Sequence, residues 1–162
     1  MVCIISARQV LTPAGWLADH AIHVDDTGTI TEVSPRGFDA AQAVGTALPG
    51  LANVHTHSFQ RAMAGLAEAR GPEGADDFWT WRKVMYRFLE VLTPDHIEAI
   101  AAQVQMEMAE AGYTASAEFH YVHHGVGGAH FDDMAETSKA IFAAREASGI
   151  GLTHLPVLYT YG

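Results

Sequence analysis

With 162 residues, 49% of them hydrophobic and 17% charged, the sequence has the length and apolar content of one ordinary globular domain and is unlike a disordered segment. A formal net charge of −10 argues against a nucleic-acid partner, because that binding rests on neutralising phosphates with Lys and Arg. No apolar run approaches the roughly 20 residues that a membrane-spanning helix needs, so no membrane partner is expected.

The opening Met1-Val2-Cys3-Ile4-Ile5 lacks a basic n-region, and its apolar stretch breaks at Arg8 and Gln9, which reads against a signal peptide. The single cysteine, Cys3, cannot form an internal disulfide and reads as a small buried strand residue; the expected compartment is the cytoplasm. The first 48 residues read as a small β segment without a helix. Val2 to Val10, Ala21 to Val24 and Thr29 to Val33 are rich in apolar and β-branched residues, and Asp25-Asp26-Thr27-Gly28 signals a tight turn. Pro49-Gly50 then punctuates the chain, dividing residues 1–48 from 49–162.

Beyond the break, strands and helices alternate. Leu51 to His57 reads as a strand ending in polar residues. Ser58 to Gly65 is a possible helix start, and Asp76 to Leu92 a second helix. Thr93-Pro94 opens a third, with Thr as cap, an apolar stripe of Ile97, Ile100, Ala101, Val104 and Met108, and Gly112 at the C-terminal end. Thr114 to Val122 reads as a strand. Asp133 with Glu136 resembles a capping box for a helix that Gly149 closes after Ser148, and Gly151 to Tyr159 reads as the next strand. Such alternation implies βαβ units and a parallel sheet. Three strands leave a sheet edge exposed, and Tyr161-Gly162 carry no terminator signal. A fragment of a longer barrel protein is therefore expected.

His55 and His57 carry the chemistry. Two residues apart on a strand, their side chains point to one side about 6.6 Å apart. Two imidazoles there can converge on one ion with bonds of roughly 2.0–2.1 Å. With ten histidines in the chain, chance supplies on the order of 0.6 such pairs, so spacing alone is a weak metal signal. Five of the nine basic residues, Arg61, Arg70, Arg82, Lys83 and Arg87, fall just after this pair. Singly each reads as part of a solvated helix face; as a group they point to an anionic small-molecule substrate. His123 and His124 follow a strand end and read as a packed or exposed pair. His20, His23, His96, His130 and His154 read as structural. His120 and Tyr121 alternate on their strand and cannot both face inward. Glu118 invites the role of general base, but strand alternation places it opposite Tyr121.

Pro49-Gly50-Leu51-Ala52-Asn53-Val54-His55-Thr56-His57 resembles the first barrel strand of the amidohydrolase superfamily, and Asn53 resembles the deaminase-type branch. Ser58-Phe59-Gln60-Arg61-Ala62-Met63, the stretch Asp77 to Tyr86, and Glu118-Phe119-His120-Tyr121-Val122-His123-His124 together resemble the formimidoylglutamate deiminases, over essentially the whole chain from residue 48. The resemblance implies an α/β fold: residues 49–162 as the first three β/α units of a TIM-like (β/α)8 barrel, and residues 1–48 as part of a composite small β domain. It implies one zinc ion held in part by His55 and His57, and a glutamate portion of substrate held by Gln60, Arg82 and Tyr121. It also implies hydrolysis of N-formimidoyl-L-glutamate to N-formyl-L-glutamate and ammonia in histidine breakdown, and a possible homo-oligomer.

Without that resemblance Arg82 reads as a surface salt bridge and Tyr121 as a core aromatic, while Gln60 says nothing. Three protein ligands are usual for a catalytic zinc, and the family takes its later ligands and its acid/base residues from strands beyond the third. No catalytic acid or base is therefore assigned in this chain, which alone is expected to bind zinc weakly and to turn over no substrate. Two other readings stand beside this one. The first is a deaminase of the same branch acting on a purine, pyrimidine or triazine ring, which has no need of Arg82. The second is an inactive product or interaction protein that uses the fold.

Overall fold

The first hairpin runs longer than its β-branched residues predict. In the computed structural model, which describes residues 3–35, 43–67 and 77–160, β1 spans Cys3–Thr12 and β2 spans Gly15–Val24, antiparallel in register from Cys3↔Val24 to Thr12↔Gly15. The N-terminal half of β2 mixes polar and apolar residues, so cross-strand pairing rather than composition makes it a strand. Asp25 closes the next turn. Its Oδ1 accepts from the backbone N–H groups of Thr27 and Thr29 and from the Thr27 hydroxyl, and these bonds, the hydroxyl first, hold its carboxyl below the usual range. β3, Ile30–Pro35, pairs antiparallel with β2. A strand the sequence did not mark, β4 at Ala43–Ala47, lies parallel to β1 and completes the order β3-β2-β1-β4. No helix occurs among the described residues of this unit, Met1–Pro49. Cys3 is exposed, contrary to the buried position expected.

The second unit, Gly50–Gly162, carries three parallel strands: β5 at Leu51–Thr56, β6 at Tyr113–His120 and β7 at Gly151–Pro156, in the order β5-β6-β7. The helices between them are α1 at Phe78–Leu89, α2 at Pro94–Glu110 and α3 at Glu136–Ser148. Asp77 caps α1 through the N–H groups of Trp79 and Thr80, and Thr93 caps α2 with Pro94 at its start. Gly149, left-handed at φ 73°, ends α3. The expected capping box on α3 is not formed. Asp133 lies outside the helix, accepting from the Ala135 N–H and pairing with Lys139, and Ala135 stands at the cap. Ser58 to Met63 winds as a 3-10 helix rather than an α-helix.

The sheet turns one face to the helices. Phe59, Met63, Met85, Leu92, Ile97, Ala101, Ala140, Ile141 and Ala144 form the buried apolar cluster, with Leu152 of β7 packed against it. On α2 the buried stripe is Ile97, Ala101, Gln105 and Met108. Gln105 replaces the expected Val104 because its Oε1 accepts from the Ser148 hydroxyl, which satisfies the buried amide oxygen. Gly50 permits a close approach to β6: a Cβ there would stand 2.1–2.7 Å from the side chain of Thr114. No helix among the described residues is long and apolar enough to cross a membrane.

Candidate metal centre

His55 and His57 meet where β5 ends. The register between β5 and β6 shifts between Asn53 and Thr56, so the strand bulges across Val54 and His55. Asn53 fills the bulge, its Oδ1 accepting from the His55 N–H and its Nδ2 reaching the sulfur of Met108 on α2. The two Nε2 atoms then stand 3.0 Å apart, with the rings edge to face.

Hydrogen bonding fixes the tautomer of His57. Its Nδ1 lies 2.8 Å from the carbonyl oxygen of Phe119. A carbonyl only accepts, so Nδ1 carries the proton, and in the neutral ring Nε2 then presents its lone pair, the arrangement common to metal-binding imidazoles. His55 then donates its own Nε2 proton to that lone pair. Two nitrogens on one tetrahedral zinc stand about 3.3 Å apart, so an ion fits between the rings once the His55 proton shifts from Nε2 to Nδ1 and they open by a few tenths of an ångström. Among the described residues no third His, Cys, Asp or Glu joins the pair.

A cleft of about 650 Å³ adjoins His57. It is lined by His57, Gln60, Arg82 and Tyr121 from the sequence reading, together with Trp81, Met85, Tyr86 and Tyr159. Gln60 Nε2 donates to the Tyr121 hydroxyl at 2.9 Å, and the Tyr121 ring packs edge-on against His57 and Phe59. Burial pushes the Tyr121 hydroxyl up from its usual range, with the Gln60 bond acting the other way, so it remains a phenol near neutral pH.

Among the described residues Arg82 forms no ion pair, so the surface salt bridge is not seen there. Its Nε and Nη2 donate to the Tyr86 hydroxyl at 3.1 and 2.6 Å, and its guanidinium lies over the rings of Trp79 and Tyr86. The wider basic group dissolves. Arg61 is bidentate on Glu107, Lys83 and Arg87 are exposed, and Arg70 lies outside the described residues. Sequence reasoning missed Tyr86 and Trp81; for Tyr86, one helical turn after Arg82, the i+4 spacing was the signal available, whereas Trp81, the residue before Arg82, carried none.

Glu118 is 3% exposed on the helix side of β6, away from the open side that carries His57 and Phe119. It accepts from the Ser58 N–H at 2.9 Å and the Ser58 hydroxyl at 2.8 Å through one oxygen. Burial pushes its carboxyl up to about 7, opposed by the two Ser58 bonds, and no cation among the described residues acts on it. On the same face His120 is buried and shares a hydrogen bond with the Thr137 hydroxyl, and His154 bonds Ser138. His123 Nε2 bonds the Val157 carbonyl, and His124 lies edge-on to His130.

The sequence pattern of the amidohydrolase family matches residues 46–152. The chain belongs to that family. It is 50% identical over 159 residues to formimidoylglutamate deiminase of Pseudomonas aeruginosa, covering 97% of this chain and 35% of that protein. The amidohydrolase chain also superimposes on a solved amidohydrolase from Brucella melitensis at a TM-score of 0.87 and 41% identity, covering 96% of this chain and 35% of that one. The atrazine chlorohydrolase of Arthrobacter aurescens, solved with zinc, shares the fold at a TM-score of 0.69 and 20% identity, over 98% of this chain and 36% of that one. This amidohydrolase chain thus spans about a third of the length of the proteins it matches, and its mixed α/β unit corresponds to the N-terminal part of the family's TIM-like barrel, which these residues do not close.

Proposed function

We propose that these residues carry the opening part of a zinc site in an enzyme that hydrolyses the amidine C–N bond of N-formimidoyl-L-glutamate, giving N-formyl-L-glutamate and ammonia. The observation that supports this most is the pair of Nε2 atoms of His55 and His57, 3.0 Å apart, beside a cleft that also holds Gln60, Arg82 and Tyr121. Zinc bound there supplies a nucleophile from water at neutral pH.

The chain's own residues bind and orient. The Arg82 fork takes a carboxylate of the glutamate portion by charge-assisted bonds, and its stacking on Trp79 and Tyr86 holds the fork in place. Gln60 and Tyr121, already bonded to each other, offer an amide and a phenol to the same portion. The remaining ligands and the acid/base groups come, on this reading, from residues outside the 162.

Replacing Arg82 tests the substrate. Hydrogen bonds to charged groups contribute about 1.5–3 kcal/mol, so Arg82→Met lowers kcat/KM for N-formimidoyl-L-glutamate about 10- to 150-fold. An enzyme acting on a purine, pyrimidine or triazine ring keeps its activity in the same variant. Unchanged kcat/KM for the formimino substrate would remove Arg82 from the site and favour the ring-deaminase reading.

A further inference from the structure

Three consecutive residues at the end of β5 are tied to β6, each by a different group. The Thr56 hydroxyl shares a hydrogen bond with that of Ser116 at 3.1 Å, His57 Nδ1 donates to the Phe119 carbonyl at 2.8 Å, and Ser58 gives both its N–H and its hydroxyl to Glu118. Thr56 is also the residue in register with Glu118. The chain turns from strand to 3-10 helix at this point, with His57 as the cap residue and no side-chain cap of its own. The Ser58 N–H would otherwise be an unsatisfied donor in a residue 3% exposed. A buried carboxylate without a cation is costly, and a neutral acceptor or an apolar residue would suit a face made only for packing.

We propose that Glu118 is a positioning residue for the metal-ligand pair: by holding Ser58 it fixes the backbone after His57 and keeps the His57 ring against the Phe119 carbonyl, so that Nε2 points to His55. This rests on the zinc reading given above, yet the ring orientation it describes exists without metal. Glu118 lines neither the cleft nor the ligand pair, and its hydrogen bonds reach the pair through Ser58.

The test compares Glu118→Gln, which keeps an acceptor for both Ser58 bonds, with Glu118→Leu, which keeps none, in the full-length protein. Two readouts separate positioning from mere stability. The first is the 15N NMR signature of His57, whose Nδ1–H form dominates in the starting protein and in Glu118→Gln, and gives way to mixed tautomers in Glu118→Leu. The second is zinc affinity by competition with a chromophoric chelator, expected to fall about 10- to 100-fold in Glu118→Leu and to stay within about threefold in Glu118→Gln. If Glu118→Leu does not fold, Ser58→Ala, which removes one of the two bonds, replaces it and shows the same changes at a smaller size.

A folded Glu118→Leu or Ser58→Ala protein with an unchanged His57 tautomer overturns the proposal, as does a Glu118→Gln protein that loses the tautomer. A starting protein that takes up no zinc refutes the metal reading alone, and the tautomer comparison still decides the role of Glu118.

Discussion

Glu118 and His120 lie two residues apart on one buried face, and acid moves their contributions to stability in opposite directions. Burial lifts the Glu118 carboxyl from 4.5 to about 7, so the folded chain binds its proton more tightly than the unfolded chain does. Its contribution is therefore full at low pH and is lost as pH rises through about 7. Burial, with His154 and then His123 adding, lowers the His120 imidazole from 6.5 to about 4, so the unfolded chain binds that proton more tightly. That contribution is full above 6.5 and is lost as pH falls toward 4. At about 1.4 kcal/mol per pH decade, acidifying from pH 8 to 5 gains about 2.5 kcal/mol through Glu118 and loses about 2 kcal/mol through His120. The two nearly cancel.

Glu118→Gln removes one of them. Urea unfolding followed by tryptophan fluorescence, at half-unit steps from pH 5 to 8, should therefore give curves that diverge. Relative to its value at pH 8, the variant becomes about 2.5 kcal/mol less stable at pH 5 than the starting protein does. Parallel curves across that range would show that Glu118 does not titrate as its burial requires, and would refute the reasoning.

Core and backbone changes test the rest of the fold. Ile141 is 1% exposed at the centre of the helix–sheet cluster, so Ile141→Ala is expected to destabilise by about 2–5 kcal/mol in the same urea assay. Gly149 meets nothing within 4 Å where a Cβ would stand. Gly149→Ala therefore costs only its left-handed backbone, about 1–2 kcal/mol, visible as a Tm decrease of several degrees without a change in zinc affinity.

Much of the second unit was legible because its signals are local. Thr93-Pro94, Gly149 and the apolar stripe of α2 are dictated by orphan backbone groups and helical periodicity, and they place β5, β6 and β7 within a few residues. What failed was set by distant partners. β4 has an unremarkable composition and is a strand because β1 pairs with it. Gln105 is buried because Ser148 answers it, and the first turn after β5 is 3-10 with Ser58 bound to Glu118. In the site, spacing alone could align His55 with His57. The bulge at Asn53 and the Phe119 carbonyl, which bring their nitrogens together, come from register and from a strand some 60 residues away. Arg82 could be named only by resemblance, because its stacking partner Tyr86 is a helical neighbour whose meaning depends on the cleft beside it.

Zinc titration of residues 1–162 against a chelator, beside His55→Ala and His57→Ala and with ammonia release measured on N-formimidoyl-L-glutamate, tests most directly whether His55 and His57 are part of a metal site that these residues do not complete. The expected result is weak zinc uptake that either substitution abolishes, and no ammonia. One tightly held zinc per chain with turnover, or uptake indifferent to both substitutions, would contradict it.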